Sequence, residues 1–277
     1  MAGEPVIHRY PRKQEGAFVN AHLVETDASV IAIDGLLTIS ESRAMREGLE
    51  ALGKPLRAVL LTHSHPDHYG GLTELVAGDD VPIIAPRGVI DVIARDDDEK
   101  EQVLRPMFGD EWAAERTFPN TAIGDGESVS FDDVTFTAID LGPSESPWDS
   151  PWVLGEDERT VFLGDQIYDH RHCFLADGFH QEWLANIETL RERFPSDAVF
   201  HIGHGGPAGP ADWDWQRSYI EAFLGAVRAA DWSNPEQAQP EVVAEMRRFL
   251  PTDELLFLME LSVEPVAAQL GLAAASA

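Results

Sequence analysis

The segment Thr62-His63-Ser64-His65-Pro66-Asp67-His68-Tyr69-Gly70-Gly71 decides how this sequence is interpreted. It directly follows a short apolar run that is typical of a buried strand. In an extended segment, side chains two residues apart point the same way, so His63 and His65 can bind one ion while Asp67 and His68 are displaced towards a second. Imidazole nitrogens and carboxylate oxygens are the usual non-sulfur ligands of zinc in proteins. The segment therefore predicts a metal site on a loop that leaves a strand.

Two later segments, Phe162-Leu163-Gly164-Asp165 and His201-Ile202-Gly203-His204-Gly205-Gly206-Pro207, add to this pattern. Together with the first segment, which matches the pattern THxHxDHxGG, they resemble the motifs of the metallo-β-lactamase superfamily, which includes lactonases, glyoxalase II thioesterases and β-lactamases. The resemblance extends over about residues 17 to 225. It implies an α/β fold, a four-layer αββα sandwich with metal ions at one edge of the inner sheets. It also implies that Asp165 bridges two ions and that His204 is a ligand.

One position departs from the family pattern. Between the first motif and the aspartate motif, family members normally have a histidine in a turn, whereas this chain reads Leu141-Gly142-Pro143-Ser144-Glu145-Ser146. Glu145 stands where the histidine is expected, and no histidine occurs between His68 and His170. A carboxylate can bind metal through oxygen, so the predicted ligands are His63, His65, Asp67, His68, Glu145, Asp165 and His204.

Two alternatives to this ligand set stay open. Asp149 can take the vacant position in place of Glu145, or a single ion can be bound by Asp67, His68, Asp165 and His204 alone. The full set predicts two divalent metal ions, with zinc as the first expectation. The added carboxylate makes the centre more anionic and favours harder ions, so iron and manganese are alternatives.

The pattern of apolar residues predicts strands that alternate with helices in both halves of the chain, which indicates a layered α/β architecture. Strands are predicted at Ala17–Val24, Ser29–Ile33, Arg57–Leu61, Val81–Ala85, Ser128–Phe131, Val134–Ile139, Trp152–Leu154, Thr160–Leu163 and Ala198–Ile202. Helices are predicted from an N-cap at Thr38 or Ser40 to Leu52, and at Leu72–Val76, Arg87–Ala94, Glu99–Met107 and Gln181–Phe194. From Trp213 onward the chain is predicted to be helical, with breaks at Pro235, Pro240 and Pro251. Residues 1–210 are thus assigned to the αββα domain, and residues 211–277 to a helical C-terminal extension packed on it.

The composition is strongly acidic: 49 Asp and Glu residues against 20 Lys and Arg give a formal charge of −29. Such a surface repels phosphate backbones, so nucleic acid is not an expected partner. The single cysteine, Cys173, excludes an internal disulfide framework. No basic-then-apolar leader and no apolar run of about 20 residues is present, so we expect a cytoplasmic protein with no membrane association. The expected partner is a small-molecule substrate, and a homodimer is an open alternative.

The ligand pattern favours hydrolysis by a metal-activated hydroxide. The resemblance to the superfamily implies an ester, a lactone, a thioester or, less favoured, a β-lactam as the bond that is cleaved. Asp67 is a candidate for orienting the nucleophile and transferring a proton. The segment that follows Asp165 is expected to form one wall of the substrate pocket, where Tyr168 or His172 could donate a hydrogen bond to a developing oxyanion. Two other functions fit the same ligands, a metal-dependent phosphodiesterase and a non-haem iron oxidoreductase.

Overall fold

The structure is a computed structural model that describes residues 4–11 and 19–273. Its first β-sheet has the strand order β1-β2-β3-β4-β5-β6. The pairs β1–β2 and β2–β3 are antiparallel, and the pairs from β3 to β6 are parallel. The strands of this sheet are β1 (Val6–Pro11), β2 (Asn20–Glu25), β3 (Val30–Ile33), β4 (Leu56–Leu60), β5 (Ile83–Pro86) and β6 (Thr121–Ile123).

The second β-sheet has the strand order β11-β10-β9-β8-β7. Only β10 and β11 pair in parallel among its described strands, and the other neighbours are antiparallel. The strands are β7 (Ser128–Phe131), β8 (Val134–Ala138), β9 (Trp152–Leu154), β10 (Thr160–Tyr168) and β11 (Val199–His204).

Helices cover the outer face of each sheet. The helices on the first sheet are α1 (Ile39–Leu52), α2 (Pro66–Tyr69), α3 (Leu72–Leu75) and α4 (Arg87–Phe108), which is followed by a 3₁₀ turn at Gly109–Glu111. The helices on the second sheet are α5 (His180–Arg193), α6 (Asp212–Ala229), α7 (Pro235–Phe249) and α8 (Leu256–Gln269). In the described part of the chain, no helix combines the length and the apolar character needed to cross a membrane.

Three apolar cores hold these layers together. The central core lies between the two sheets and includes Phe136, Trp152 and Phe162, all of them buried. One outer core packs α1 and α4 on the first sheet, and the other packs α5 to α8 on the second. Burial of apolar side chains on both faces of each sheet explains why several strands are continuous apolar runs rather than alternating ones. The predicted αββα sandwich with C-terminal helices is confirmed.

Element boundaries differ from the prediction in places that have a physical explanation. Residues 87–108 form one helix rather than two. Asp97, in the run Asp96-Asp97-Asp98 between the two predicted helices, is buried and accepts hydrogen bonds from Tyr69 and Arg116, so this run does not interrupt the helix. The predicted strand at Thr160 continues past Gly164, whose positive φ of 59° accompanies a shift in register with β11.

Several other boundaries were missed or lie outside the described residues. Strands β1 and β6 had not been predicted, and Pro240 lies inside α7 instead of ending a helix. The first two residues of the strand predicted at Ala17–Val24 lie outside the described residues.

Candidate metal centre

The first motif is divided between a loop and the start of a helix. His63 follows β4, and His65 is the N-cap of α2, which begins at Pro66. Proline suits the first helical position because its φ is already close to the helical value and that position needs no N–H donor. The side chains of Asp67 and His68 therefore point in a different direction from those of His63 and His65. This divides the ligand candidates of the motif into two groups.

The second sheet supplies the remaining ligand candidates at its edge. Asp165 lies in β10, His204 ends β11, and Glu145 lies in the loop between β8 and β9. Gly203 allows β11 to pass directly beneath the site, since a Cβ there would lie 1.8 Å from Oδ1 of Asp165 and 2.8 Å from Cε1 of His68. The glycine of this motif is thus required by close packing.

The first group of ligand candidates comprises His63, His65, Glu145 and Asp165, all buried. One ligand atom from each lies within 4.8 Å of every other. Oε2 of Glu145 is 3.1 Å from Nδ1 of His65 and 3.9 Å from Nε2 of His63. Nε2 of His63 is also 3.9 Å from Oδ2 of Asp165. We call this set the first ligand group.

The second group comprises Asp67, His68, Asp165 and His204 and meets the same limit of 4.8 Å. Nε2 of His204 lies 2.9 Å from Oδ2 of Asp165 and 3.4 Å from Oδ2 of Asp67. Nε2 of His68 lies 3.5 Å from Oδ1 of Asp165. Asp165 belongs to both groups, and Asp67 is the half-buried member of the second, which we call the second ligand group.

Several of these atoms are buried without a hydrogen-bond partner among the described residues. They are Nε2 of His63, Nε2 of His68, Oε2 of Glu145 and Oδ1 of Asp165. An unpaired buried polar atom carries a free-energy cost of about 1–3 kcal/mol, and more for a charged group. Nitrogen and carboxylate oxygen atoms that converge on one point are the donor set of a divalent cation, so the residues present fit a metal centre.

The far nitrogens of the three motif histidines are held by hydrogen bonds. Nδ1 of His68 lies 2.8 Å from Oδ2 of Asp34, and Nε2 of His65 lies 2.7 Å from Oδ2 of Asp177. Nδ1 of His63 lies 3.0 Å from the hydroxyl of Thr62, which itself donates to Asp34. These contacts direct the opposite nitrogen of each ring into its ligand group, where it would bind an ion once its proton is lost, as in metal sites whose histidines are oriented by an outer carboxylate.

Asp34 and Asp177 were not identified from the sequence. Asp34 directly follows β3, at the edge of the sheet where β4 also ends, and its positive φ of 61° marks a constrained position. The signal that could have identified Asp34 is its position directly after a buried strand, β3, which runs parallel to the strand before the first motif, β4. Asp177 lies in a loop, and no local pattern identifies it.

Each ligand group contains both acidic and basic side chains, which shift the pKa values of one another. Burial lowers the pKa of His68 and of His204, but Asp165 and other nearby carboxylates raise it by more. As a result, the pKa of His68 lies well above its usual value, and the pKa of His204 rises to about 9. Burial raises the pKa of Asp165, yet His204 and His68 bring it well below its usual range. Protons on the imidazoles thus balance the carboxylates, and a bound cation would displace them.

Asp149, the alternative to Glu145, belongs to neither ligand group. Its Oδ2 accepts hydrogen bonds from the backbone and hydroxyl of Ser146, and its Oδ1 accepts one from Gln166. Gln166 in turn accepts a hydrogen bond from Ser144. Asp149 therefore fixes the loop that presents Glu145, and Glu145 is the residue of this loop that belongs to the first ligand group.

The two candidates for an oxyanion donor differ in position. The hydroxyl of Tyr168 lies 2.8 Å from Oε1 of Glu145, so it contacts the ligand groups. His172 does not, which differs from the sequence-based prediction: its Nδ1 lies 2.9 Å from the hydroxyl of Tyr219, and its Nε2 lies 3.1 Å from the carbonyl oxygen of Thr252. Both ring nitrogens of His172 are thus engaged with the C-terminal helices, because the chain after β10 turns away from the sheet edge.

Comparison with known proteins gives a family for this region of the chain. A family model described as the metallo-beta-lactamase superfamily matches residues 15–204, a range that includes every residue of both ligand groups. A solved beta-lactamase domain protein from Burkholderia ambifaria superimposes with a TM-score of 0.69 at 20% identity, over 97% of this chain and 88% of that chain. At this identity, the likeness shows the fold alone.

Two curated relatives show the range of activities associated with similar sequences. The chain is 26% identical over 145 residues to a hydroxyacylglutathione hydrolase of Bdellovibrio bacteriovorus, which covers 52% of this chain and 48% of that protein. It is 26% identical over 193 residues to the 2,4-dinitroanisole O-demethylase subunit alpha of a Nocardioides species, which covers 69% of this chain and 54% of that protein. The chain spans about half the length of these relatives.

Proposed function

Because the chain belongs to the metallo-β-lactamase superfamily, we propose that it is a metal-dependent hydrolase that cleaves an ester, lactone or thioester bond. The observation that supports this most strongly is the pair of ligand groups, one of them fully buried, that share Asp165. A relative named as a hydroxyacylglutathione hydrolase agrees with the reaction class. Cleavage of a β-lactam is a less favoured variant of the same chemistry.

Each ligand candidate would bind one of two metal ions, and Asp165 would bind both. His63, His65 and Glu145 would hold one divalent ion, and Asp67, His68 and His204 would hold the other, with Asp165 shared between them. Ions bound in this way lower the pKa of a water molecule and polarise a carbonyl oxygen. Zinc is the first candidate, and the three carboxylates keep iron and manganese as alternatives.

Asp67 is the ligand best placed to take part in proton transfer. Asp67 is half-buried, whereas the other members of its group are buried, so it is the ligand of that group most accessible to solvent. Its Oδ2 lies 3.4 Å from Nε2 of His204. A carboxylate at this edge can orient an attacking water molecule, accept its proton and transfer that proton to the leaving group.

The charge of the chain favours an uncharged small-molecule substrate. A formal charge of −29 repels anionic substrates at a distance, including phosphodiesters and nucleic acids. We therefore place the phosphodiesterase alternative behind carbonyl hydrolysis.

The test combines metal analysis with a substrate panel. The purified full chain would be loaded with zinc, manganese or iron, and assayed on p-nitrophenyl esters, acyl lactones, thioesters, nitrocefin and bis-p-nitrophenyl phosphate. We expect turnover of a carbonyl substrate that chelation abolishes and metal restores. His65→Ala should abolish it with the fold intact by circular dichroism, and full turnover in this variant would contradict the proposal.

Two outcomes of the same test would support the other functions. Turnover confined to bis-p-nitrophenyl phosphate would indicate the phosphodiesterase. Iron in the purified protein together with oxygen consumption would indicate the oxidoreductase, since two histidines and a carboxylate also form non-haem iron sites.

A further inference from the structure

Tyr168 contacts both ligand groups at once. It is buried at the end of β10, three residues after Asp165. Its hydroxyl lies 2.8 Å from Oε1 of Glu145 and 3.1 Å from Oδ2 of Asp165. Its ring stacks on the imidazole of His204, with 4.8 Å between the ring centroids and 12° between the ring planes. A hydroxyl has one proton to donate, and the shorter contact is the one to Glu145.

We propose that Tyr168 is a positioning residue that holds Glu145 in the orientation of a metal ligand. The hydroxyl of Tyr168 donates a hydrogen bond to Oε1 of Glu145. The other carboxylate oxygen, Oε2, has no hydrogen-bond partner among the described residues and faces the two imidazoles of the first ligand group. The inference rests on the proposed function only in requiring that this group binds a cation.

The need for such a residue follows from the chemistry of a carboxylate. The terminal torsion of a glutamate is broad, so its two oxygens can exchange places or rotate away from a fixed point. A hydrogen bond to one oxygen restricts that rotation and leaves the other oxygen as a single directed ligand. Hydrogen bonds of this kind to a ligand typically change metal affinity by about 10–100-fold.

The loop around Glu145 is held independently of Tyr168. Ser146 donates to Asp149, and Gln166 donates to Asp149 while it accepts from Ser144. These bonds fix the backbone of the loop and do not reach the carboxylate of Glu145. Removal of the Tyr168 hydroxyl should therefore change the orientation of one side chain and leave the loop in place.

The chain also contains a matched control. Tyr219 is buried as fully as Tyr168, and its hydroxyl is hydrogen-bonded to Nδ1 of His172 and to the backbone N–H of Cys173, outside both ligand groups. Tyr168→Phe and Tyr219→Phe therefore each remove one buried hydroxyl with its hydrogen bonds, and only the first touches a metal ligand.

The experiment measures metal binding without substrate. The apoprotein and the two variants would be titrated with Zn²⁺ in competition with a chromophoric chelator, and with Co²⁺ while the visible ligand-field bands are recorded. We expect Tyr168→Phe to weaken one of the two binding steps by about 10–100-fold and to alter the Co²⁺ spectrum. Tyr219→Phe should change neither by more than about twofold. Identical behaviour of the two variants would overturn the proposal.

A double-mutant cycle identifies the residue through which Tyr168 acts. In a Glu145→Ala background, the Tyr168→Phe change should have no further effect on Zn²⁺ affinity, because the carboxylate it positions is gone. An undiminished effect in that background would show that Tyr168 acts through Asp165 or His204, and would overturn the proposal. Normal coupling in a protein that hydrolyses none of the panel would contradict the proposed function and support the positioning role. A wild-type protein that binds no ion would contradict both.

Discussion

The two ligand groups contain the same donors but are built differently. Each has two imidazoles and two carboxylates, with Asp165 in common. The first ligand group is buried throughout and depends on Glu145, which is presented by a loop with its own hydrogen-bond network. The second is supplied by a short helix, by β10 and by the end of β11, and it includes the half-buried Asp67. A closed site suits retention of an ion, and an open one suits exchange with water and substrate.

The largest effect should come from the residue that the two groups share. Asp165→Asn removes a negative charge from both, so we expect metal content to fall below one ion per chain and turnover to fall more than about 100-fold, beyond the loss typical of an outer hydrogen-bond partner. Elemental analysis and steady-state kinetics measure these. Asp197→Asn, at an exposed position, is the control. A variant that keeps two ions would show that Asp165 does not bridge the groups.

A second pair of variants should separate the groups. Glu145→Ala removes a ligand only from the first, and His204→Ala only from the second, so each should lower the metal content by up to one ion per chain. The ion that remains should be lost more slowly to a chelator in His204→Ala, because it then lies in the buried group. Unchanged metal content in Glu145→Ala would remove Glu145 from the ligand set.

Outer hydrogen-bond partners should give smaller changes with the same selectivity. Asp177→Asn acts on His65 of the first group, and Asp34→Asn acts on His68 of the second. Each should weaken one binding step by about 10–100-fold, because the ring loses the carboxylate that orients it. Competition titrations of the two single variants and the double variant measure this, and effects on the same step would contradict the division into two groups.

The smallest effect concerns a histidine outside both groups. Burial and Arg9 lower the pKa of His201 from 6.5 to about 4, so the folded chain binds fewer protons than the unfolded chain between these values. The free energy of unfolding should therefore rise with pH from 4 to 6.5 and fall on acidification over the same window. His201→Gln should flatten this slope by an amount on the order of 1–2 kcal/mol in total, allowing for partial solvent exposure. Urea unfolding at pH 4.5 and pH 7 measures it, and an unchanged slope would argue against a neutral His201 in the folded chain.

The two ligand groups also differ in which of their residues could be predicted from the sequence. The spacing of His63, His65, Asp67 and His68 places them together because they are local neighbours at one strand end, and the family motif adds Asp165 and His204. Glu145 was predicted from its place in the motif order, while Asp149 could be separated from it only by the hydrogen bonds that engage both oxygens of Asp149.

Contacts made over long sequence separations were the part that could not be predicted. Asp177 reaches His65 across 112 residues, and no periodicity or spacing encodes such a contact. His172 was predicted near the reacting group from its closeness to Asp165 in the sequence, but the positive φ of 50° at His170 accompanies a turn that directs the chain towards the C-terminal helices. Strand β6 was missed for a different reason: its first two residues, Thr121 and Ala122, are exposed, so its three residues do not form an apolar run.

Anomalous diffraction from crystals of the protein loaded with Zn²⁺ or Mn²⁺ would show whether each ligand group binds an ion. We expect two anomalous peaks, about 3.5–4 Å apart as in other two-metal sites. One should be bound by His63, His65 and Glu145, the other by Asp67, His68 and His204, and Asp165 should contact both. A single peak, or a first peak whose coordination omits Glu145, would contradict this assignment of ligands.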